Sequence, residues 1–252
     1  MTTIPGTILD ANGNLRAIID ANTQEGILRM QPLIFEDDFV GAGHTAGIPA
    51  AGSPVAGYAW VKKIVGAAPP TVAIVSNGAG GVVALTLAAT SEAEEATLYA
   101  NDQLTYDVTK NLVFEARTAL AVLPSAAGVE AVFGLQSTWI SGPDNNSYYL
   151  RFQANGSGAI NCQSKDGVNT FSIASGVTLV AGAYHLFRID ARTLTDVAFY
   201  IDGVRVNAVN SISFAAVNPN SILQLYGSVY KPAGTGVATL DLDTMAVAAD
   251  RV

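Results

Sequence analysis

The residues able to do chemistry in this 252-residue chain are few and scattered. Carboxylates gather at Glu36-Asp37-Asp38 and around Glu92, Glu94 and Glu95. Two carboxylates placed across a glycosidic bond can serve as acid and nucleophile. Neighbours along a strand point to opposite faces, so Glu36, Asp37 and Asp38 separate, and Glu92, Glu94 and Glu95 read as the solvated face of a loop. A second constellation is polar and aromatic: Trp139, Tyr148 and Tyr149 flank Ser141-Gly142-Pro143-Asp144-Asn145-Asn146-Ser147. Their rings could stack on a sugar, with Asp144 and Asn145 supplying oxygen ligands. The simpler reading of the same stretch is a turn at Asp144-Asn145-Asn146. A strand then follows in which Tyr149 and Arg151 alternate with Tyr148, Leu150 and Phe152.

Other chemistry finds little support. His44 and His185 are too few and too far apart for a zinc site, and no nucleophile elbow is present. Cys162, alone, makes neither an internal disulfide nor a thiolate cluster, and within Ala159-Ile160-Asn161-Cys162-Gln163 it reads as a small buried hydrophobe. His185 shares a face with Phe187 and Ile189 and is expected to be partly buried and hydrogen-bonded. No cofactor or metal is expected. Thirteen basic residues against 21 acidic ones, net charge -8, argue against nucleic acid. No run approaches 18 consecutive apolar residues and no signal peptide is visible, so the expectation is a soluble protein made in a cytoplasm, with no membrane partner. Only 13% of residues are charged, half are apolar and the mean hydropathy is +0.32. That surface predicts a large partner interface.

The elements that position these groups are strands. Leu112-Val113-Phe114-Glu115-Ala116-Arg117 alternates, Phe114 and Ala116 on one face and Glu115 and Arg117 on the other. Tyr184-His185-Leu186-Phe187-Arg188-Ile189-Asp190 does the same, and Val197-Ala198-Phe199-Tyr200-Ile201 places Val197, Phe199 and Ile201 inward. Asp202-Gly203 is a strong hairpin signal, with Val204-Arg205-Val206 returning. The best helical candidate, Ser91 to Ala96, is one or two turns at most. The loops at 41–57 and 66–70 are rich in Gly, Ala and Pro and read as surface loops or as surface buried by a partner.

Residues 1–33 stand apart from the domain at 34–252. Ile8-Leu9-Asp10-Ala11-Asn12 returns ten residues later as Ile18-Ile19-Asp20-Ala21-Asn22, apolar pairs before turn residues. The segment is too short for its own core. It either docks on another subunit through Ile8, Leu9, Ile18, Ile19, Ile27 and Leu28, or packs on its own domain as edge strands.

Phe35-Glu36-Asp37-Asp38-Phe39, Asn111 to Arg117, and the stretch from Tyr184 to Val206 resemble the concanavalin A-like (lectin/glucanase, LamG-like) jelly rolls found in tailed-phage virion structural proteins. The resemblance implies an all-β fold: an antiparallel two-sheet β-sandwich with an extended N-terminal arm, the last strand near Ala238 to Val247 closing one sheet beside the first. It further implies a capsid decoration (cement) protein, a homotrimer bound to the major capsid protein on the virion surface and assembled in the host cytoplasm. The alternative is a tail-fibre or baseplate carbohydrate-binding module that uses Trp139, Asp144, Asn145, Tyr148 and Tyr149. Laminarinase-type members carry a Glu-x-Asp-x-x-Glu run that this chain lacks, so the chain is expected not to be an enzyme.

Overall fold

The computed structural model describes residues 33–40, 47–53, 59–76, 80–216 and 221–251, together with the backbone of 6–9, 15–19 and 26–29. Most of loop 41–57, with His44, therefore falls outside the described residues.

The chain opens with a three-stranded antiparallel meander, β1 (Gly6–Leu9), β2 (Leu15–Ile19) and β3 (Gly26–Arg29), paired in the order β1-β2-β3. Both apolar pairs of the ten-residue repeat are strands, Ile8 opposite Ala17 and Ile18 opposite Leu28. The segment expected as an extended arm is thus a small sheet. The side chains of Ile8, Leu9, Ile18, Ile19, Ile27 and Leu28 lie outside the described residues.

Two eight-stranded antiparallel sheets make up the rest. The first holds β4 (Leu33–Asp37), β6 (Thr71–Ile74), β7 (Val83–Thr86), β10 (Val113–Val122), β15 (His185–Asp190), β16 (Ala198–Ile201), β17 (Val204–Arg205) and β19 (Thr239–Ala249). Its order is β17-β16-β15-β10-β19-β7-β6, and β4 pairs with β19. The second holds β5 (Val61–Val65), β8 (Glu94–Tyr99), β9 (Tyr106–Asp107), β11 (Glu130–Gln136), β12 (Tyr148–Asn155), β13 (Ala159–Asp166), β14 (Thr170–Thr178) and β18 (Ile222–Lys231). It runs β14-β13-β12-β11-β18-β8-β5, with β9 on β18. The last strand thus lies beside the first strand of the sandwich.

Alternation builds the core, as period two requires. Phe187, Ile189 and Phe199 from the first sheet meet Phe133, Leu150 and Phe152 from the second, all completely buried. Phe133 and Phe152 stack with centroids 5.6 Å apart, and Phe187 meets both edge-on at 4.7 and 4.9 Å. Cys162 joins this core, where burial pushes its thiol up to about 12. Asp202 and Gly203 turn with φ of 50° and 79°, the paired positive values of a two-residue hairpin. His185 is partly buried, its Nδ1 lying 2.7 Å from Asp202 Oδ2.

The acidic run departs from its expected place. Glu94 and Glu95 belong to β8 and are completely buried, neither helical nor on a solvated loop. They stay buried because each has partners: Lys231 Nζ lies 3.4 Å from Glu94 and donates to the Ala88 and Thr90 carbonyls at 2.6 and 2.7 Å. Glu92 does remain in the loop, where it accepts the Ala67 and Ala68 amides, both at 2.8 Å, and holds the segment 66–70 in place.

Candidate functional site

The outer face of the second sheet carries the polar chemistry. On β11, Ala131, Phe133 and Leu135 enter the core, so Glu130, Gly134 and Gln136 point the other way. On β12 the same alternation turns Tyr149, Arg151, Gln153 and Asn155 outward, and on β8 it turns out Glu95 and Thr97. These groups are nonetheless mostly buried, because residues 137–147 fold back over the sheet as a roof whose crown is a 3₁₀ turn, Pro143–Asn145. Only glycine fits at 134: φ is +146°, and a Cβ there would stand 2.5 Å from the Leu150 carbonyl and 2.7 Å from Arg151 Cα.

Two residues of the sheet tie the roof down. Glu95 Oε1 accepts from Trp139 Nε1 at 3.0 Å, Thr97 Oγ1 at 2.9 Å and Tyr226 Oη at 3.3 Å, and Oε2 accepts the Gly142 amide at 3.0 Å. Arg151, 1% exposed, donates to the Pro143 carbonyl and to Gln163 Oε1, both at 2.8 Å, to Gln136 Oε1 at 3.4 Å, and to Asp144. Its guanidinium also lies over Tyr149 at 3.9 Å.

Beyond the far edge of the roof is a cleft of 420 Å³ whose polar lining is Glu130, Asp144, Asn145, Gln153, Asn155 and Tyr230. Gln153 Nε2 donates to Glu130 Oε2 and reaches Asp144 Oδ1 at 3.5 Å. Two contacts that meet at one nitrogen bring the two carboxyls to the same side chain and keep their oxygens within roughly 6 Å of each other. Glu130 is 7% exposed. Burial first, and the charge of Asp144 second, push its carboxyl up to about 7. A carboxyl poised there exchanges a proton near neutrality. Asp144 by contrast is paired with the Arg151 guanidinium.

The structure divides the sequence candidates. Asp144 and Asn145 line the cleft, in the turn expected for them. Trp139 lies at the other end of the roof, on Glu95, with Lys63 Nζ 4.8 Å from its ring. Tyr149 is buried against Arg151, while Tyr148 points to the opposite face and packs on the core. The proposed stacking platform of Trp139, Tyr148 and Tyr149 is therefore not assembled, because consecutive strand residues face opposite ways. Sequence reasoning missed Glu130, Gln153, Asn155 and Tyr230. For Gln153 and Asn155 the signal was available, since they continue the alternation begun by Tyr149 and Arg151. Isolated Glu130 gives none.

No protein-family model matches the chain, and no curated protein sequence does. Solved structures do. A protein of unknown function, SO2946 from Shewanella oneidensis MR-1, is 14% identical with a TM-score of 0.58 over 87% of each chain. A β-1,3-glucanase from Mycobacterium marinum is 16% identical at 0.52, over 84% of this chain and 97% of that one. A family 7 alginate lyase, A1-II', is 14% identical at 0.51, over 70% and 83%. The fold is a concanavalin A-like jelly-roll sandwich. These likenesses correct the reading of the chain as a non-enzyme: a glucanase and a lyase are built on this fold. That reading rested on a missing single-strand run of carboxylates, whereas Glu130 and Asp144 converge from two different elements.

Proposed function

We propose that the chain binds a glycan in the cleft between β11, β12 and the roof, with Glu130 and Asp144 as its acid–base pair. The observation that carries this reading is the convergence of both carboxylates on Gln153, in an open cavity whose other polar walls are the Asn145 and Asn155 amides and the Tyr230 ring. The cavity's size falls within the range of small-ligand sites. Amides and a phenol suit hydroxyl-rich ligands, and both named neighbours of known activity act on polysaccharides. Calorimetric titration with a panel of tetrasaccharides tests it. At least one should bind saturably, and Tyr230→Ala should weaken it about tenfold while the melting temperature holds. Unchanged affinity in that variant removes the cleft from consideration.

A second reading is favoured by the N-terminal meander, whose strands, among the described residues, pair with one another and not with the sandwich. A three-stranded sheet of four- and five-residue strands needs a surface to rest on. Together with the resemblance to phage jelly rolls, it supports a capsid decoration protein that docks on the major capsid protein as a homo-oligomer. Deleting residues 1–30 should leave a folded sandwich that no longer binds capsids, and retained binding overturns this reading.

A further inference from the structure

The charges around the cleft are one-sided. Glu130 and Asp144 face it, and Glu95 lies beneath the same roof. Among the described residues the cation paired with this cluster is Arg151, which is 1% exposed and donates to Asp144, the Pro143 carbonyl, Gln163 and Gln136. An acidic sugar entering here would meet carboxylates with no guanidinium or ammonium among the described residues that line the cleft, a like-charge contact that costs affinity.

The unused hydrogen-bonding capacity points the same way. Glu130 is more than nine-tenths buried, yet only Oε2 is bonded, by Gln153; among the described residues Oε1 has no partner. That oxygen belongs to a cleft-lining side chain. Gln153 Nε2 already places one nitrogen donor between the two carboxylates, so their oxygens are arranged around an N–H group. An ammonium, with three donors and a full charge, is the stronger form of such a donor for two carboxyls that share one N–H group.

We propose that the cleft takes a sugar carrying a free amine, its ammonium held between Glu130 and Asp144. This rests on the glycan reading above. The ammonium takes the place of the proton that Glu130 otherwise holds and adds to Arg151 as a partner of Asp144, while Asn145, Asn155 and Tyr230 line the same cleft. The chain's net charge of -8 would draw such a ligand in before contact.

The test uses the full chain and three tetrasaccharides: glucosamine, its N-acetylated counterpart and a neutral β-1,3-glucan. They are titrated calorimetrically at about pH 7, where a sugar amine is still mostly charged and the Glu130 carboxyl is at its own midpoint, so that an ammonium can take the place of its proton. The glucosamine tetramer should bind at least tenfold more tightly than the N-acetylated one. Glu130→Gln and Asp144→Asn should each erase that preference, and Trp139 fluorescence should confirm that the roof remains closed. Should one variant open the roof, the other together with Tyr230→Phe carries the test. Equal or tighter binding of the N-acetylated or neutral tetramer overturns the ammonium assignment and leaves the glycan reading intact. A preference that persists in both carboxylate variants also overturns it, since diffuse attraction to an acidic protein would then be its source. Binding of none of the three to the unaltered chain sinks both readings.

Discussion

Glu95 and Glu130 are both glutamates on the outer face of the same sheet, and the roof treats them oppositely. At Glu95 it closes: four donors from β8, β18 and the loop reach the two carboxylate oxygens, so that both are bonded by the protein itself. At Glu130 the roof ends short, leaving a cleft, an amide shared with a second carboxylate, and one oxygen that no described residue bonds. Burial alone does not separate these groups, since both are nearly withdrawn from solvent. What separates them is whether the protein itself satisfies them. A buried charge with complete partners fixes a loop in place, whereas one with incomplete partners is stabilised by whatever else can supply a donor.

The largest way to break this contrast is to untie the roof. In Arg151→Met the Pro143 carbonyl and the Gln163 and Gln136 side-chain oxygens lose their donor, while Asp144, 62% exposed, keeps water. Breaking a buried ion pair typically costs about 3–5 kcal/mol. Because Asp144 remains hydrated, a loss of about 3 kcal/mol in denaturant melts is expected here. Trp139 fluorescence should shift to the red as the indole leaves Glu95. A loss below about 1 kcal/mol would mean that Glu95 alone holds the roof, as expected of an exposed pair.

The sandwich was more legible in the sequence than this site, for a physical reason. A core strand repeats its signal every second residue, so Phe187 and Ile189, or Phe114 and Ala116, announce a buried face without reference to any other segment. The Asp202-Gly203 turn is equally local, because both residues tolerate a positive φ. The cleft is not local: Glu130 begins β11, Asp144 crowns the roof and Tyr230 lies on β18, and only strand order brings them together. Glu94 and Glu95 misled in the opposite direction. A run of acidic residues suggests solvent, and nothing within it shows that Lys231 and Trp139 lie waiting elsewhere in the chain. Among the sugar-site candidates, Asp144 and Asn145 were found because turn chemistry is written in consecutive residues. Tyr148 and Tyr149 were grouped by adjacency, although adjacency in a strand separates side chains.

A smaller effect sharpens the contrast by way of pH. Glu130 has its carboxyl raised from an ordinary 4.5 to about 7, so between those values the folded chain holds a proton that the unfolded chain has released. Its contribution to stability is complete below about 4.5 and is lost as pH rises through about 7. The full shift corresponds to about 3 kcal/mol, and contact of Oε1 with cleft water reduces the expected loss to roughly 2 kcal/mol. Carboxyls held below their ordinary value, such as Asp166 by backbone amides and Asp190 by Arg192, act in the opposite sense, stabilising the fold as pH rises from the acid side. The two trends separate in the difference between the unaltered chain and Glu130→Gln. That variant keeps a neutral, hydrogen-bonding side chain at every pH, so its stability relative to the unaltered chain should climb from about pH 5 to about pH 8 and then level off. A flat difference would mean that Glu130 is ionised in the folded chain across this range, as satisfied by the protein as Glu95, and the contrast between the two ends of the roof would disappear.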